Sequence, residues 1–349
     1  MSPRPSVPKK KAAAVRRTKA APAPSAVSAP KKSGAAVLLL ALVLIAALVG
    51  QAGWVFYRDR KAQVTLHYDG AVAPRGPGKG QVTGCRAMAA DAKSNLYYLE
   101  GVGPGSVLQK FARDGQWLAW VSPDSKPAER LNNGWAVAPG QDGSVWVVER
   151  GGALKQYGPD LALMRTVALP GSDSSGVAVA PDGSVWVANY QGQLLVLPAG
   201  GSEAKPFDGP GKSHLKAPYR LCFDPQGRLY VLDFENGIGQ DPLVKSFDAK
   251  GAFLRAWTVK DDPINEFACI AWHPLGYVVV NDSRGEVVDA KGFRLYSPEG
   301  RLQGLATLTD TGQNLRAIPG FCISPSGDWF MDLTPLQQGC GRLTWAPAP

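Results

Sequence analysis

Six polar residues recur at the end of an apolar run that follows a turn, five of them in the same register and Asp332 one residue out of it. We call this set the acidic ring, and its members are Glu100, Glu149, Asn189, Asp233, Asp282 and Asp332. Carboxylate and amide oxygens are the ligands that hard divalent cations prefer. The ring therefore predicts a divalent cation site or a face that binds a basic partner. A third interpretation is that each side chain caps its own turn by accepting backbone N–H groups.

Positive residues follow or face the same positions. They are Arg86, Arg150, Arg220, Arg284 and Arg316. We expect them to pair with the acidic ring, and a mixed-charge pocket is the alternative. His214, in the stretch KSHLKAPYR, can reach this face as well, whereas His67 and His273 lie elsewhere in the predicted fold. The predicted binding face therefore comprises the acidic ring with Arg150, Arg220 and His214.

The acidic ring is carried by a repeat. Its copies include WAVAPGQDGSVWVVE, VAVAPDGSVWVANY and LCFDPQGRLYVLD, in which two apolar runs flank a turn, as in a β-hairpin. The turn positions are Ser94, Gly143, Gly183, Gly227, Gly276 and Gly327, spaced 49, 40, 44, 49 and 51 residues apart. Several strands repeated with a period of 40–50 residues are typical of propeller blades.

Two further strands follow each hairpin, except in the last copy. The third strands are centred on Phe111, Tyr157, Val196, Phe247, Tyr296 and Trp345. The sixth copy ends at Pro349 before a fourth strand, and the unused strand AQVTLHY, Ala62–Tyr68, lies ahead of the first copy. We therefore predict an all-β fold, a six-bladed β-propeller of four-stranded blades over residues 62–349, closed by residues 62–68.

The stretch LYVLDFEN followed by LVKSFDAKGAFLRAW resembles the repeat of the NHL family. Two copies depart from it: LLVLPAGG lacks the Phe-Asp pair, and the first copy lacks the Pro-Asp-Gly turn. The resemblance implies a propeller, and propellers of this kind include binding scaffolds, lactonases and lyases. The streptogramin lyases, which resemble this fold, use paired histidines on one face, and here only His214 is placed for that role.

The N-terminal part predicts a membrane topology. Residues 1–34 hold nine Lys or Arg and no Asp or Glu, which indicates a disordered basic tail over residues 1–33. Residues 34–57 carry no charge and are long enough for a transmembrane helix, and residues 58–61 form a short linker. The charge bias keeps the N-terminus cytoplasmic and exports the propeller to the periplasmic or extracellular side. A cleaved signal peptide is the alternative.

The functional prediction is a single-pass, membrane-anchored scaffold whose top face binds a protein or an envelope polysaccharide. Beyond the tail the chain has 29 basic and 29 acidic residues, so we expect no nucleic-acid surface on the propeller. The alternative is a metal-dependent hydrolase or lyase, lactonase-like or streptogramin-lyase-like, at the top of the central channel. No catalytic residue is assigned, and a divalent cation is the cofactor considered.

The chain has five cysteines, an odd number in a domain expected to meet oxidising conditions. Cys222, Cys269 and Cys322 fall on predicted inner strands and read as buried core residues. Cys85 and Cys340 fall at the predicted seam between the first and last copies, where a disulfide would join the chain ends.

Overall fold

The computed structural model describes residues 62–235, 237, 240–259, 269–281, 293–309, 320–334 and 338–347. The chain divides into two compact units, Met1–Arg60 and Lys61–Pro349, and every described residue belongs to the second. The predicted tail, the predicted transmembrane helix over residues 34–57 and the linker all lie outside the described residues. Among those that are described, no helix has the length and apolar character needed to cross a membrane.

The described unit is mostly β, with short 3-10 turns at Gly103–Gly105 and Lys212–His214. The first strand of each repeat is β2 Cys85–Ala90, β6 Gly134–Pro139, β10 Ser174–Val179, β14 Pro218–Phe223, β18 Ile270–His273 or β22 Phe321–Ile323. The second strands are β3 Leu96–Glu100, β7 Val145–Glu149, β11 Val185–Asn189, β15 Leu229–Asp233, β19 Tyr277–Asn281 and β23 Trp329–Asp332.

The outer strands complete the sheets. The third strands are β4 Val107–Phe111, β8 Ala153–Tyr157, β12 Gln193–Leu197, β16 Leu243–Phe247, β20 Phe293–Tyr296 and β24 Cys340–Pro347. The remaining strands are β1 Ala62–Ala73, β5 Trp117–Val121, β9 Leu163–Ala168, β13 Lys205–Pro206, β17 Phe253–Thr258 and β21 Leu302–Thr309.

The predicted hairpins and their turns are confirmed. Each first strand pairs antiparallel with the second strand of its repeat. All six predicted turn positions have positive φ, including Ser94 at 58°. Glycine reaches that conformation without steric cost, which explains why five of the six positions are glycine. The hydroxyl of Ser94 bonds Asp328 at 2.6 Å, linking the first turn to the last.

The sheet layout corrects the predicted fold class. Four sheets have four antiparallel strands each, compatible with a β-propeller, but the remaining eight strands form one sheet. The cause is β1, which pairs antiparallel with β24, with Leu66 opposite Trp345, and also parallel with β21, with Leu66 opposite Leu308. One strand thus joins the last two repeats, and the prediction of six separate four-stranded blades is wrong.

The first strands surround a central cavity. Each contacts the first strand of the next repeat, and β22 contacts β2. The cavity has a volume of about 610 Å³ and is lined by residues of all six first strands. Apolar clusters lie between neighbouring sheets; one of them packs Val145, Val147 and Tyr157 against Leu99 and Leu108. We call the end of the sheets where the second strands finish the top face.

Four first strands carry a β-bulge one residue after they begin. The residue inserted at the bulge is Arg86 in β2, Trp135 in β6, Ser175 in β10 and Tyr219 in β14. A bulge breaks the alternation of side chains and turns the inserted residue in a new direction. These four side chains therefore leave the regular alternation of their strands, and those of Trp135, Ser175 and Tyr219 are buried.

Candidate functional site

The described members of the acidic ring end their second strands and are buried. Glu100, Glu149 and Asp233 are each at most 6% exposed. Asp233 accepts hydrogen bonds from the backbone N–H groups of Lys216 and Ala217, both at 3.0 Å. These donors lie in the loop that leads into the first strand of the same repeat. The carboxylate therefore fixes the entry of the chain into its sheet.

Glu100 and Glu149 act in the same way. Glu100 Oε2 accepts the backbone N–H of Thr83 at 2.7 Å and its hydroxyl at 2.8 Å. Glu149 Oε1 accepts the backbone N–H of Asn132 at 2.5 Å. Both bonds again reach the loop before the first strand. Both carboxylates therefore hold a loop that lies 17 residues earlier in the chain, and not their own turns.

In three repeats, a buried residue of the third strand also contacts the carboxylate of the acidic ring. Lys245 Nζ lies 3.1 Å from Asp233 Oδ2 and 2.6 Å from Glu235 Oε2. Lys155 Nζ lies 3.3 Å from Glu149 Oε1. Gln109 donates to Glu100 Oε1 at 3.0 Å. The buried carboxylates are thereby neutralised or hydrogen-bonded inside the fold, as buried charges require.

The other ring positions are also engaged. Asn189 Oδ1 accepts the backbone N–H of Gln191 at 2.7 Å. Asp332 accepts from the hydroxyl of Tyr98 at 3.0 Å and from the backbone N–H of Cys85 at 3.2 Å. Asp282 lies outside the described residues.

Asn281 is the last described residue of β19 and accepts the backbone N–H of Cys269 at 2.7 Å. Within the described part of the chain, no group of three or more His, Cys, Asp or Glu side chains is arranged to hold a metal ion. The oxygens expected to serve a cation or a partner are used to order the loops of the top face.

The three described arginines, Arg86, Arg150 and Arg220, form no ion pair with the described members of the acidic ring. Arg86 and Arg150 both lie over Trp135, with their Cζ atoms 4.3 Å and 3.3 Å from the ring centroid. Neither guanidinium has a carboxylate partner among the described residues. The expected Arg–acid pairing is thus replaced by cation–π stacking, because the lysines and backbone N–H groups already occupy the acids. Arg284 and Arg316 lie outside the described residues.

Arg220 extends this group toward the cavity. Its Cζ lies 4.5 Å from the ring centroid of Tyr219, and its Nη1 donates to the backbone carbonyl of Ser175. Tyr219 packs against Tyr190 with centroids 5.5 Å apart. Burial raises the pKa of Tyr190, while Arg220 and Arg150 act in the opposite direction. We call Arg86, Arg150 and Arg220 the arginine cluster.

The arginine cluster stands at the top end of the cavity. Arg220 itself lines the cavity, and Arg86 and Trp135 directly precede the lining residues Ala87 and Ala136. Below it the lining is mostly apolar. The cavity also carries two carboxylates in the turns at its other end, Asp91 and Asp224. An anion entering from the top face would therefore meet guanidinium groups first.

The histidines contribute little to this end of the cavity. His214 is exposed and stacks on Phe253 with centroids 3.8 Å apart. Its backbone carbonyl accepts from Lys245 at 2.6 Å, which places it beside Asp233. His273 is buried in the turn region at the other end of its strand, and burial lowers its pKa to about 4. The structure does not place a second histidine beside His214.

The predicted disulfide between Cys85 and Cys340 is absent, since all five cysteines are free thiols. Cys340 pairs across the sheet with Asp332, whose carboxylate accepts the backbone N–H of Cys85. A carboxylate therefore makes the link expected of the disulfide. Burial raises the pKa of both thiols, which makes them poor nucleophiles.

Sequence reasoning missed the aromatic partners of the arginines. Regular alternation of side chains along a strand does not predict where Trp135 and Tyr219 lie, because each of them stands at a β-bulge. The supporting lysines did leave a signal: the third strands ALKQY and LVKSF carry a Lys two residues before the aromatic residue. A charged residue inside an otherwise buried strand indicates a buried partner.

The chain matches no protein-family model and no curated protein. Membership of the NHL family therefore stays a proposal.

Proposed function

We propose that this protein is an exported, membrane-anchored binding scaffold that takes anionic groups of a protein or envelope-polymer partner at its top face. The observation that carries the proposal is the arginine cluster. Three guanidinium groups gather at one end of the cavity, and no described carboxylate neutralises them. Such groups are the preferred receptors for carboxylates and phosphates.

The aromatic rings support this role. Stacking on Trp135 fixes the planes of Arg86 and Arg150 without cancelling their charge. A fixed guanidinium loses less conformational entropy when it binds an anion than a mobile lysine would. The cluster is therefore organised before any partner arrives, which favours affinity.

Binding is favoured over the metal-dependent hydrolase or lyase also predicted from the sequence. That reaction would use oxygens of the acidic ring, and those oxygens already accept backbone N–H groups or contact Lys155 and Lys245. Ligation of a cation would break these contacts, and the loops of the top face would lose the hydrogen bonds that hold them in place. The arginine cluster, in contrast, can bind an anion without such a loss.

The location is proposed from the sequence alone. The apolar residues 34–57 would anchor the chain, and the basic residues 1–34 would keep the N-terminus in the cytoplasm. A likeness to NHL proteins is part of the same proposal. It rests on the quoted repeat LYVLDFEN and the segment that follows it.

Defined polymers test the proposal. The full chain, held in lipid nanodiscs, is titrated with polyglutamate, polygalacturonate and polylysine. We expect one or both acidic polymers to bind and polylysine not to bind. Polyglutamate represents an acidic protein segment and polygalacturonate an acidic polysaccharide, so the stronger of the two identifies the partner class.

The matched variants are Arg86→Gln with Arg150→Gln, and Arg255→Gln as control. Arg255 is an exposed arginine on the outer strand β17. Loss of two charge-assisted contacts should weaken binding by about tenfold or more, and the control should bind like the wild type. Failure of both acidic polymers to bind would reject the proposal.

A further inference from the structure

The central cavity is larger than packing between strands requires. Its volume of about 610 Å³ falls within the range of small-molecule sites. Its walls are built mainly from small apolar side chains, such as Ala87, Ala136, Val177 and Ala271. Alanine at these positions leaves the space open where larger residues would fill it.

The charged groups of the cavity differ between its two ends. At the turn end, Asp91 accepts the backbone N–H of Asn95 at 2.9 Å, and Asp224 accepts Arg228 Nε at 2.5 Å. These carboxylates are satisfied within their own turns. At the top end, Arg220 lines the cavity. Within the described part of the chain, its guanidinium donates to the uncharged carbonyl of Ser175 and pairs with no carboxylate. A partly buried cation beside apolar walls is stabilised by an incoming anion.

We propose that the cavity binds an amphipathic organic anion, with its carboxylate or phosphate head at the arginine cluster and its apolar body between the first strands. This inference rests on the proposed function, because it identifies the ligand class of the same arginine cluster. The head group would be held by Arg220 from within the cavity and by Arg86 and Arg150 at the entrance. The apolar body would replace water along the alanine and valine side chains.

The wall chemistry excludes other occupants of the cavity interior, whereas an acidic polymer would contact only the arginine cluster at the entrance. A sugar or a hydrophilic peptide would bury hydroxyl or amide groups against alanine and valine side chains that cannot pair with them. A cationic amphiphile would meet the arginine cluster and be repelled. An apolar body with an anionic head satisfies both regions.

A chain-length series tests the inference. Butyrate, hexanoate and octanoate are titrated calorimetrically into the full chain in nanodiscs, and the heat of empty nanodiscs is subtracted. We expect affinity to rise by about fourfold for each added CH₂ group, because each buries more apolar surface. Octyl phosphate compares the two head groups, and octyltrimethylammonium tests the sign of the charge.

Two kinds of variant locate the ligand. Ala89→Phe and Val179→Phe each place a bulky ring on a different cavity-lining strand, and each should abolish the chain-length dependence. Arg220→Lys keeps the charge but loses the planar fork, and it should weaken octanoate binding by about tenfold. Urea unfolding of each variant shows which of them fold, and the conclusion is drawn from the folded ones.

The outcomes are distinct. Chain-length dependence that disappears in the filled-cavity variants supports the inference. Binding of acidic polymers with no chain-length dependence overturns the inference and leaves the proposed function standing. Equal binding of octyltrimethylammonium overturns the assignment of an anionic head. Absence of binding by both amphiphiles and polymers rejects the inference and the proposed function together.

Discussion

At the residue scale, we assign the described acids of the top face to the framework, and we propose the arginines as the binding surface. Asp233 illustrates the first role, with two backbone donors and Lys245 around one buried carboxylate. Arg150 illustrates the second, with its charge held over Trp135. We therefore assign different roles to the acids and to the arginines, although both lie at the top face.

Replacement of Asp233 by Asn tests the framework role. The new NH₂ group would face N–H donors, and Lys245 would keep a buried charge with a weaker partner. We expect the free energy of unfolding in urea to fall by about 3 kcal/mol, since one member of a buried pair is lost. Asp173→Asn, at an exposed position, should change it little. A stable Asp233→Asn variant that loses ligand binding would contradict the framework role.

His273 predicts a pH dependence of stability. It is 3% exposed, and burial lowers its pKa to about 4. Between about pH 6.5 and pH 4 the unfolded chain takes up a proton that the folded chain does not. Stability should therefore fall by about 3 kcal/mol from this group as the pH drops through that window, with no further loss below it.

Urea unfolding at pH 7 and pH 4.5 measures this effect. In His273→Phe the fall in stability between the two values should be smaller than in the wild type. An equal fall in His273→Phe and in the wild type would show that His273 is accessible to protons in the folded state.

At the element scale, bulges and close strand contacts shape the top face. The bulges at Arg86, Trp135 and Tyr219 interrupt the alternation of their strands, and Trp135 and Tyr219 are buried in apolar clusters. Neighbouring first strands also approach closely. A Cβ placed on Gly176 of β10 would lie 2.4 Å from the carbonyl oxygen of Tyr219 in β14.

Gly176→Ala should therefore force β10 and β14 apart. We expect the free energy of unfolding to fall by about 1–3 kcal/mol, the usual cost of overpacking. Gly105→Ala is the matched control, because a Cβ there would meet nothing within 4 Å. A Gly176→Ala variant as stable as the control would mean that the two strands separate without cost.

The contrast between hairpins and bulges shows what the sequence can and cannot predict. The apolar runs on either side of Gly183 and Gly227 predict their strands correctly, because turn residues and the alternation of apolar and polar residues are local signals. The Arg150 side chain stacks on Trp135, and Trp135 lies at a β-bulge that breaks the alternation. The position of Arg150 therefore cannot be predicted from alternation. The described members of the acidic ring lie at the ends of their second strands, as expected. Their contacts with loops distant in sequence could not be predicted, because no short motif encodes them.

At the scale of the whole described unit, β1 determines how the sheets close. Its two sets of partners, β24 and β21, merge the last two repeats into one sheet. The sequence indicated a spare strand at Ala62–Tyr68, but not that it would pair on both sides. That second pairing depends on the separation of two sheets, which only the folded chain defines.

Leu66 lies at the centre of this seam and is fully buried in a cluster with Phe293 and Trp329. Leu66→Ala should reduce the free energy of unfolding by about 2–5 kcal/mol, through lost burial and the cavity left behind. Leu118→Ala, at a leucine that is 41% exposed, should have little effect. A small effect at Leu66 would show that the seam contributes little to stability.

The most direct test of the account compares the two sets of charges in one binding measurement. Affinity for the preferred acidic polymer is measured at low and high salt for the wild type, for Arg86→Gln with Arg150→Gln, and for Asp233→Asn under conditions where it is folded. The account predicts that the arginine variant binds about tenfold more weakly or worse and loses part of its salt dependence, while Asp233→Asn binds like the wild type. Wild-type affinity in the arginine variant, or lost affinity in folded Asp233→Asn, would contradict it.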